Sequence, residues 1–239
     1  MIPALLFAAA AFAQQAPTPV IPPLRQLNQL IDDYGNRARY AAENQTMAPP
    51  AAGEERVVFM GDSITDAWGR GVKVPFFAGK PYINRGISGQ TTAQMLLRFY
   101  PDVIQLHPKA VLILAGTNDI GSNLGPETLD YIESNLAAMS DLAKANGIKV
   151  ILASLTPVCD YHRPQTAQRP PEKINELNRW MKAYTQEHGD VYLDYFSATV
   201  DDKGFFKAEI TNDGLHPNEK GYAIMAPLAQ KAIDQALGR

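Results

Sequence analysis

Short apolar segments alternate with longer amphipathic segments from residue 57 onward, and this alternation restricts the chain to few folds. The apolar segments are rich in β-branched residues, which is typical of parallel strands buried on both faces. Strands are therefore expected at Val57–Met60, Tyr82–Asn84, Ala110–Ala115, Lys149–Ser154 and Val191–Tyr195. The pattern predicts an α/β domain in which helices cover both faces of a doubly wound parallel five-stranded sheet, giving three layers.

The segments between these strands carry helix signals. Thr91–Gln94 matches a capping box at the start of one helix. Pro126 is expected to begin a second helix and Gly147 to end it. The last predicted helix runs over Asn218–Leu237, and Pro227 is expected to kink or split it.

The N-terminal residues 1–13 are predicted to be a secretory signal. Ile2–Phe12 carries no charge, and Ala11–Ala13 fits a small-residue cleavage site, so the mature chain is expected to begin at Gln14. The segment is too short to span a bilayer. It also lacks a Lys or Arg, so either the true start lies upstream of Met1 or the signal is atypical. The alternative to a signal is a disordered apolar tail. A cleaved signal implies a secreted or periplasmic protein.

Two further regions follow the predicted signal. Residues 14–55 combine a proline-rich tether with a predicted helix over Leu24–Asn44, in which the apolar residues have helical spacing. Residues 56–239 form the predicted α/β domain, because the alternation of strands and helices runs through this region without a break. No internal repeat interrupts it.

The composition excludes several classes of function. The net charge of −3 favours neither nucleic acid nor an anionic membrane surface as a partner. The chain has one cysteine, Cys159, so an internal disulfide is impossible, and the common zinc-binding patterns are absent. We therefore expect no metal, no cofactor and no membrane span, and a monomer.

Two short segments supply the residue types of a nucleophilic triad. Gly61–Ser63 follows the first predicted strand, and Asp213–Pro217 lies near the C-terminus. Ser63 would occupy a strand-to-helix turn, where free backbone N–H groups favour a developing anion. The alternative is that Asp62 or Ser63 only caps the helix. Position 65 is Thr, so the segment is not the nucleophile elbow of α/β-hydrolases.

His216 is the expected general base for Ser63. Asp213 lies three residues earlier and would accept a hydrogen bond from the other ring nitrogen, which fixes the tautomer. The alternative is that Asp213 caps the last helix. His162, in a loop at the same sheet edge, is the competing base, but it has no carboxylate at a fixed short spacing.

Two further positions at the same sheet edge are candidate donors to an oxyanion. Gly89 ends a glycine-containing turn before a capped helix, and Asn118 follows the third predicted strand. A plain glycine turn and an Asx-turn are the alternatives. Neither alternative explains why both residues follow strands at the edge where Ser63 is expected.

The loop from Thr156 to Pro171 is expected to influence the choice of substrate. It carries Asp160, Tyr161, His162 and Arg163, which form a polar and aromatic set suited to a hydroxyl-rich or charged alcohol. The alternative is a solvated loop stiffened by prolines.

These blocks, in this order, resemble the SGNH hydrolases, also called GDSL esterases and lipases. The resemblance covers roughly residues 56–237 and rests on Gly61–Ser63, Gly89, Gly116–Asp119 and Asp213–His216. It implies a flavodoxin-like fold and three oxyanion donors, which are the N–H groups of Ser63 and Gly89 and the side-chain amide of Asn118. Ile64 replaces the usual Leu and keeps its size and apolarity.

The resemblance implies a serine esterase that hydrolyses small acyl esters through an acyl-enzyme. The compact members that the chain resembles suggest an acetyl ester, with a carbohydrate as one candidate alcohol. Two alternatives remain. One is a lysophospholipase or thioesterase acting on longer acyl chains. The other is a flavodoxin-like binding module, although Asp62 would repel phosphate in the loop where such a module holds it.

Overall fold

A computed structural model describes residues 31–239 and shows one parallel sheet. The predicted signal over residues 1–13 and the proline-rich segment up to residue 30 lie outside the described residues. The strands are β1 Val57–Gly61, β2 Tyr82–Gly86, β3 Ala110–Leu114, β4 Lys149–Ala153 and β5 Val191–Leu193. The strand order is β2-β1-β3-β4-β5, which is the flavodoxin-like order. The predicted α/β fold with five parallel strands is confirmed.

Strand β2 extends two residues beyond its predicted end. Arg85 pairs with Met60, and Gly86 pairs with Gly61 of the neighbouring strand. Hydropathy did not indicate this extension, because Arg85 is polar. Like Asn84 before it, Arg85 is buried through hydrogen bonds rather than through apolar contact.

Helices flank the sheet on both faces. The helices are α1 Ala38–Thr46, α2 Ser63–Asp66, α3 Thr92–Asp102, α4 Thr117–Ile120, α5 Leu129–Ala145, α6 Pro171–His188, α7 Phe196–Thr199 and α8 Glu219–Ala236. Helices α3, α5 and α6 pack side by side on one face, as right-handed crossovers from β2 through to β5 require. Helices α2 and α8 lie on the other face, where Tyr222 Oη donates to the carbonyl of Ile64 at 2.7 Å.

The predicted helix over Leu24–Asn44 is interrupted. Residues 31 and 32 are helical, and the chain then turns before α1 begins at Ala38. Asn36 adopts a φ of 50°, and the Asp33 carboxylate accepts the Ala38 N–H at 2.8 Å. A polar turn over residues 33–37 therefore separates two helical segments, whereas apolar spacing alone predicted one continuous helix. The part of the prediction before residue 31 lies outside the described residues.

The structure corrects one proline-based prediction and excludes one of the two outcomes expected for another. Helix α5 begins after Thr128, whose hydroxyl accepts the Tyr131 N–H, so Pro126 precedes the helix instead of opening it. Pro227 lies inside α8 without splitting it. Met225 and Ala229 are fully buried on either side of this proline, and their packing holds the helix together despite the lost hydrogen bond.

Helix α1 packs onto the β2 edge of the sheet. Tyr40 is buried and its hydroxyl donates to the carbonyl of Gly86. The Arg85 guanidinium lies 4.5 Å from the centre of the Tyr40 ring, within the range of a cation–π contact. The segment before β1 therefore contacts the strand that leads toward Gly89.

Candidate active site

Ser63 is placed by the sharp passage from β1 into α2. Strand β1 ends at Gly61, and Ser63 is the first residue of the helix. The Asp62 carboxylate caps this helix by accepting the Ile64 N–H at 2.9 Å. Asp62 thus has the capping role considered from the sequence, while the Ser63 side chain is partly exposed and remains available for another contact.

The structure brings Ser63, His216 and Asp213 into one hydrogen-bonded chain. Ser63 Oγ lies 2.9 Å from His216 Nε2, and His216 Nδ1 lies 2.7 Å from Asp213 Oδ2. An ionised carboxylate only accepts hydrogen bonds, so Nδ1 carries the proton and Nε2 accepts from the serine hydroxyl. In this arrangement the imidazole is ready to take a proton from Ser63.

Local hydrogen bonds build the turn that carries Asp213 and His216. Asp213 Oδ1 accepts the N–H groups of Leu215 at 3.0 Å and His216 at 2.8 Å. Thr211 Oγ1 donates to the His216 carbonyl at 2.8 Å and accepts the Gly214 N–H at 3.0 Å. Gly214 has a φ of 84° and its backbone lies against the carbonyl of Cys159, where a side chain would not fit.

The two carboxylates of the site have opposite pKa shifts. Burial opposes ionisation of Asp213, but hydrogen bonds from the His216 ring and from the His216 and Leu215 N–H groups outweigh it and lower the pKa to about 2. Burial raises the pKa of Asp62 to about 6, and its Oδ2 has no hydrogen-bond partner in the part of the chain that the structure describes. Asp213 is therefore ionised at neutral pH.

The base remains accessible from solvent. The His216 side chain is 38% exposed and that of Asp213 is 27% exposed, whereas Asn118 is almost fully buried. The imidazole is therefore partly open to solvent on the side that the described residues leave uncovered.

Gly89 and Asn118 each have an N–H group without an acceptor among residues 31–239. The Gly89 N–H has no acceptor among residues 31–239, and its φ of 81° places it in an open turn after β2. Asn118 lies in α4, beyond the end of β3, and donates one amide N–H to the carbonyl of Gln90 at 3.0 Å. Asn123 Nδ2 donates to Asn118 Oδ1 at 2.9 Å, which sets the orientation of the amide and leaves its second N–H free.

The predicted substrate-binding residues of the loop bond mainly within the protein. Asp160 accepts the N–H of Thr166 at 2.9 Å, Tyr161 Oη donates to Asp201 at 2.7 Å, and His162 Nε2 contacts the Ala208 carbonyl at 2.9 Å. The ring in contact with Ser63 is therefore that of His216, and His162 lies elsewhere. Arg163 is exposed.

A later part of the same loop lies against the candidate site. Gln165 Nε2 donates to the Asp213 carbonyl at 3.2 Å, and Gln168 Nε2 donates to the Gly121 carbonyl at 3.0 Å. Arg169 is 5% exposed and donates to the side-chain oxygens of both glutamines. The two glutamines were missed because their contacts with Asp213 and Gly121 are distant in sequence, and no local pattern distinguishes this segment from a solvated loop.

Within residues 31–239 no helix is both long and apolar enough to cross a membrane. The same residues contain no group of three His, Cys, Asp or Glu side chains arranged to hold a metal ion.

Proteins of known structure or sequence resemble this chain. A GDSL-like lipase from Bacteroides thetaiotaomicron is 43% identical, with a TM-score of 0.79 over 85% of this chain and 99% of its own. The esterase TesA of Pseudomonas aeruginosa is 28% identical over 181 residues, or 70% of this chain and 81% of TesA. An acetylxylan esterase of Geobacillus stearothermophilus is 24% identical over 201 residues, or 72% of this chain and 90% of that enzyme.

A family model matches most of the chain. Residues 59–224 match the model of the GDSL-like lipase/acylhydrolase family, a range that begins in β1 and ends in α8. This range contains Ser63, Gly89, Asn118, Asp213 and His216. The chain belongs to the GDSL-like lipase/acylhydrolase family and is a carboxylic ester hydrolase.

Proposed function

We propose that the protein is a serine esterase that removes small acyl groups, acetyl above all, through an acyl-enzyme. The observation that carries this proposal is the hydrogen-bonded chain from Ser63 through His216 to Asp213. Ser63 Oγ attacks the ester carbonyl carbon while His216 Nε2 takes its proton. The imidazolium then gives this proton to the alcohol oxygen as the ester C–O bond breaks.

Water completes the reaction on the same groups. His216 removes a proton from water as the water oxygen attacks the acyl carbon, and it returns the proton to Ser63 Oγ as the acid leaves. Asp213 stays ionised and stabilises the imidazolium in both halves of the reaction, which its lowered pKa supports. These two half-reactions need no group beyond the protein, the ester and water.

Three donors stabilise the tetrahedral intermediates in this proposal. They are the N–H groups of Ser63 and Gly89 and the second amide N–H of Asn118. Ser63 is the first residue of α2, and its N–H has no acceptor among the described residues. The free donors thus follow three adjacent strands, β2, β1 and β3, at one edge of the sheet.

A carbohydrate is the proposed alcohol. The donors of the site are bordered by amide side chains, because Asn123 contacts Asn118 while Gln165 and Gln168 contact the Asp213 and Gly121 carbonyls. Amide groups suit a hydroxyl-rich substrate better than a long acyl chain. The likeness to an acetylxylan esterase and the open approach to His216 support the same choice.

A panel of esters tests the substrate class. p-Nitrophenyl acetate, butyrate and octanoate are compared with acetylated xylan, on which acetate release is measured, and Ser63→Ala serves as the inactive control. We expect kcat/KM to fall as the acyl chain lengthens, and acetate to be released from xylan. A preference for octanoate would instead identify a lysophospholipase or thioesterase. Activity on acetate without any release from xylan would remove the carbohydrate from the proposal.

We also propose that the enzyme acts outside the cytoplasm, as a monomer, with the α/β domain over residues 56–239 as its catalytic unit. The uncharged stretch before Ala13 supports export, with cleavage before Gln14. Mass spectrometry of the protein from its native host should find Gln14 at the N-terminus, and an intact Met1 would contradict export by this route. Light scattering of the purified enzyme should give the mass of one chain.

A further inference from the structure

Arg98 and Asp102 form an ion pair in the interior of the fold. Their side chains are 0% and 1% exposed, and Arg98 Nη1 lies 3.0 Å from Asp102 Oδ2. A buried pair of this kind often adds little to stability, because both charges lose their hydration. The other hydrogen bonds of the pair therefore suggest what it does for the molecule.

The Arg98 guanidinium contacts two segments that lead into the candidate site. Its Nε donates to Gln90 Oε1 at 2.5 Å, and its Nη2 donates to the Gly61 carbonyl at 3.2 Å. Gly61 ends β1 two residues before Ser63. One planar cation thus joins the end of the nucleophile strand to the turn after β2.

Gln90 links Arg98 to the two candidate oxyanion donors, Gly89 and Asn118. It directly follows Gly89, and its backbone carbonyl accepts the Asn118 amide at 3.0 Å. Its own Nε2 donates to the Gly35 carbonyl at 2.9 Å. The position of Gln90 therefore affects the Gly89 N–H and the Asn118 amide together.

The segment before β1 completes the network. Asn44 in α1 donates to Asp102 Oδ1 at 2.6 Å, and Asn44 Oδ1 accepts from Arg85 Nη2 at 2.8 Å. Arg98 is thus held by a carboxylate whose second oxygen is bound from α1. This connects α1, which lies outside the family match, to the centre of the site.

We propose that Arg98 is a positioning residue that fixes the Gln90 turn relative to the end of β1, so that the Gly89 and Asn118 donors meet the oxyanion formed at Ser63. This inference rests on the proposed function. The N–H groups of the planar guanidinium donate to three separate acceptors, on Gln90, Gly61 and Asp102. A lysine ammonium keeps the charge but cannot reproduce this fork.

The test compares Arg98→Lys and Arg98→Met with Arg179→Lys, an exposed arginine on α6, as the matched control. With p-nitrophenyl acetate we expect kcat to fall by about 10- to 100-fold for the Arg98 variants while KM changes by less than about threefold, because donors misplaced by a fraction of an ångström lose transition-state contacts. Arg179→Lys should match the parent enzyme. Unchanged kcat in a folded Arg98 variant would overturn the proposal.

A double-mutant cycle separates positioning from general loosening of the fold. If Arg98 acts through the oxyanion donors, Arg98→Lys should cost much less in an Asn118→Ala background than in the parent enzyme. Losses that multiply would overturn the proposal.

If the Arg98 variants do not fold, Gln90→Met and Asn44→Ala replace them, and unchanged kcat in both would overturn it equally. An active Ser63→Ala enzyme would instead refute the proposed function.

Discussion

The Asp213 carboxylate binds His216 through both of its oxygens. Oδ2 lies 2.7 Å from the ring Nδ1, and Oδ1 accepts the backbone N–H of the same histidine at 2.8 Å. These two contacts tie the position of the imidazole to the backbone of its own turn. The orientation of the ring toward Ser63 is thus set locally, by residues only three positions apart.

Asp213→Asn should lower kcat by on the order of 10³- to 10⁴-fold, because an amide can donate to Nδ1 and so favour the tautomer that cannot accept the Ser63 proton. Steady-state kinetics with p-nitrophenyl acetate measure this effect, and an unfolding curve shows whether the variant is folded. A folded variant with near-normal kcat would show that Asp213 does not control the base.

Asn118→Ala should lower kcat by on the order of 10²- to 10³-fold and leave KM nearly unchanged, because the amide would act only on the oxyanion of the transition state. Asn123→Ala removes the contact that orients this amide and should give a smaller loss of the same kind. A change confined to KM in Asn118→Ala would make this residue a substrate-binding group instead.

Asp62→Asn should stabilise the protein at neutral pH. The pKa of about 6 in the folded protein lies above the usual value of 3.8, so folding takes up a proton between these values and stability falls as pH rises through this window. Above pH 6 the buried charge costs on the order of 3 kcal/mol, which Asn avoids while it keeps the Ile64 hydrogen bond. Urea unfolding at pH 5 and pH 7 should show a weaker pH dependence in the variant. Equal dependence in both proteins would contradict the raised pKa.

Replacement of Tyr161 and Arg163 by Ala tests the loop as a determinant of the alcohol. If the loop binds the alcohol, kcat/KM should fall for an acetylated sugar and stay nearly level for p-nitrophenyl acetate. The hydrogen bond from Tyr161 to Asp201 shows that Tyr161 also serves the fold, so thermal stability is measured in parallel. Equal effects on both substrates would exclude these two side chains from recognition and direct attention to Gln165 and Gln168.

The fold was predictable where apolar patterning and burial coincide. Strands β1 and β3 are buried at every position, so their hydrophobic segments mark them directly. The C-terminal half of β2 was missed because Arg85 is buried by polar contacts with Asn44 and Glu43, which hydropathy does not report. The turn before α1 was missed for a similar reason, since a single carboxylate, Asp33, sets the restart of the helix.

The candidate site shows the same division. Ser63, Asp213 and His216 were predicted to lie at one sheet edge because each belongs to a short motif, and the structure brings them within hydrogen-bonding distance. Their catalytic roles remain predictions. The contact of Gln165 with Asp213 and that of Arg98 with Gly61 join residues remote in sequence, and a single sequence carries no signal for such pairs.

The central claim is that Ser63 is the nucleophile activated by His216. The most direct measurement is intact-protein and peptide mass spectrometry after treatment with a fluorophosphonate, on the parent enzyme and on Ser63→Ala and His216→Ala. We predict one adduct, located at Ser63, with loss of esterase activity in proportion to labelling, no adduct in Ser63→Ala and much slower labelling in His216→Ala. An adduct on another residue, or full activity in a folded Ser63→Ala enzyme, would contradict the account.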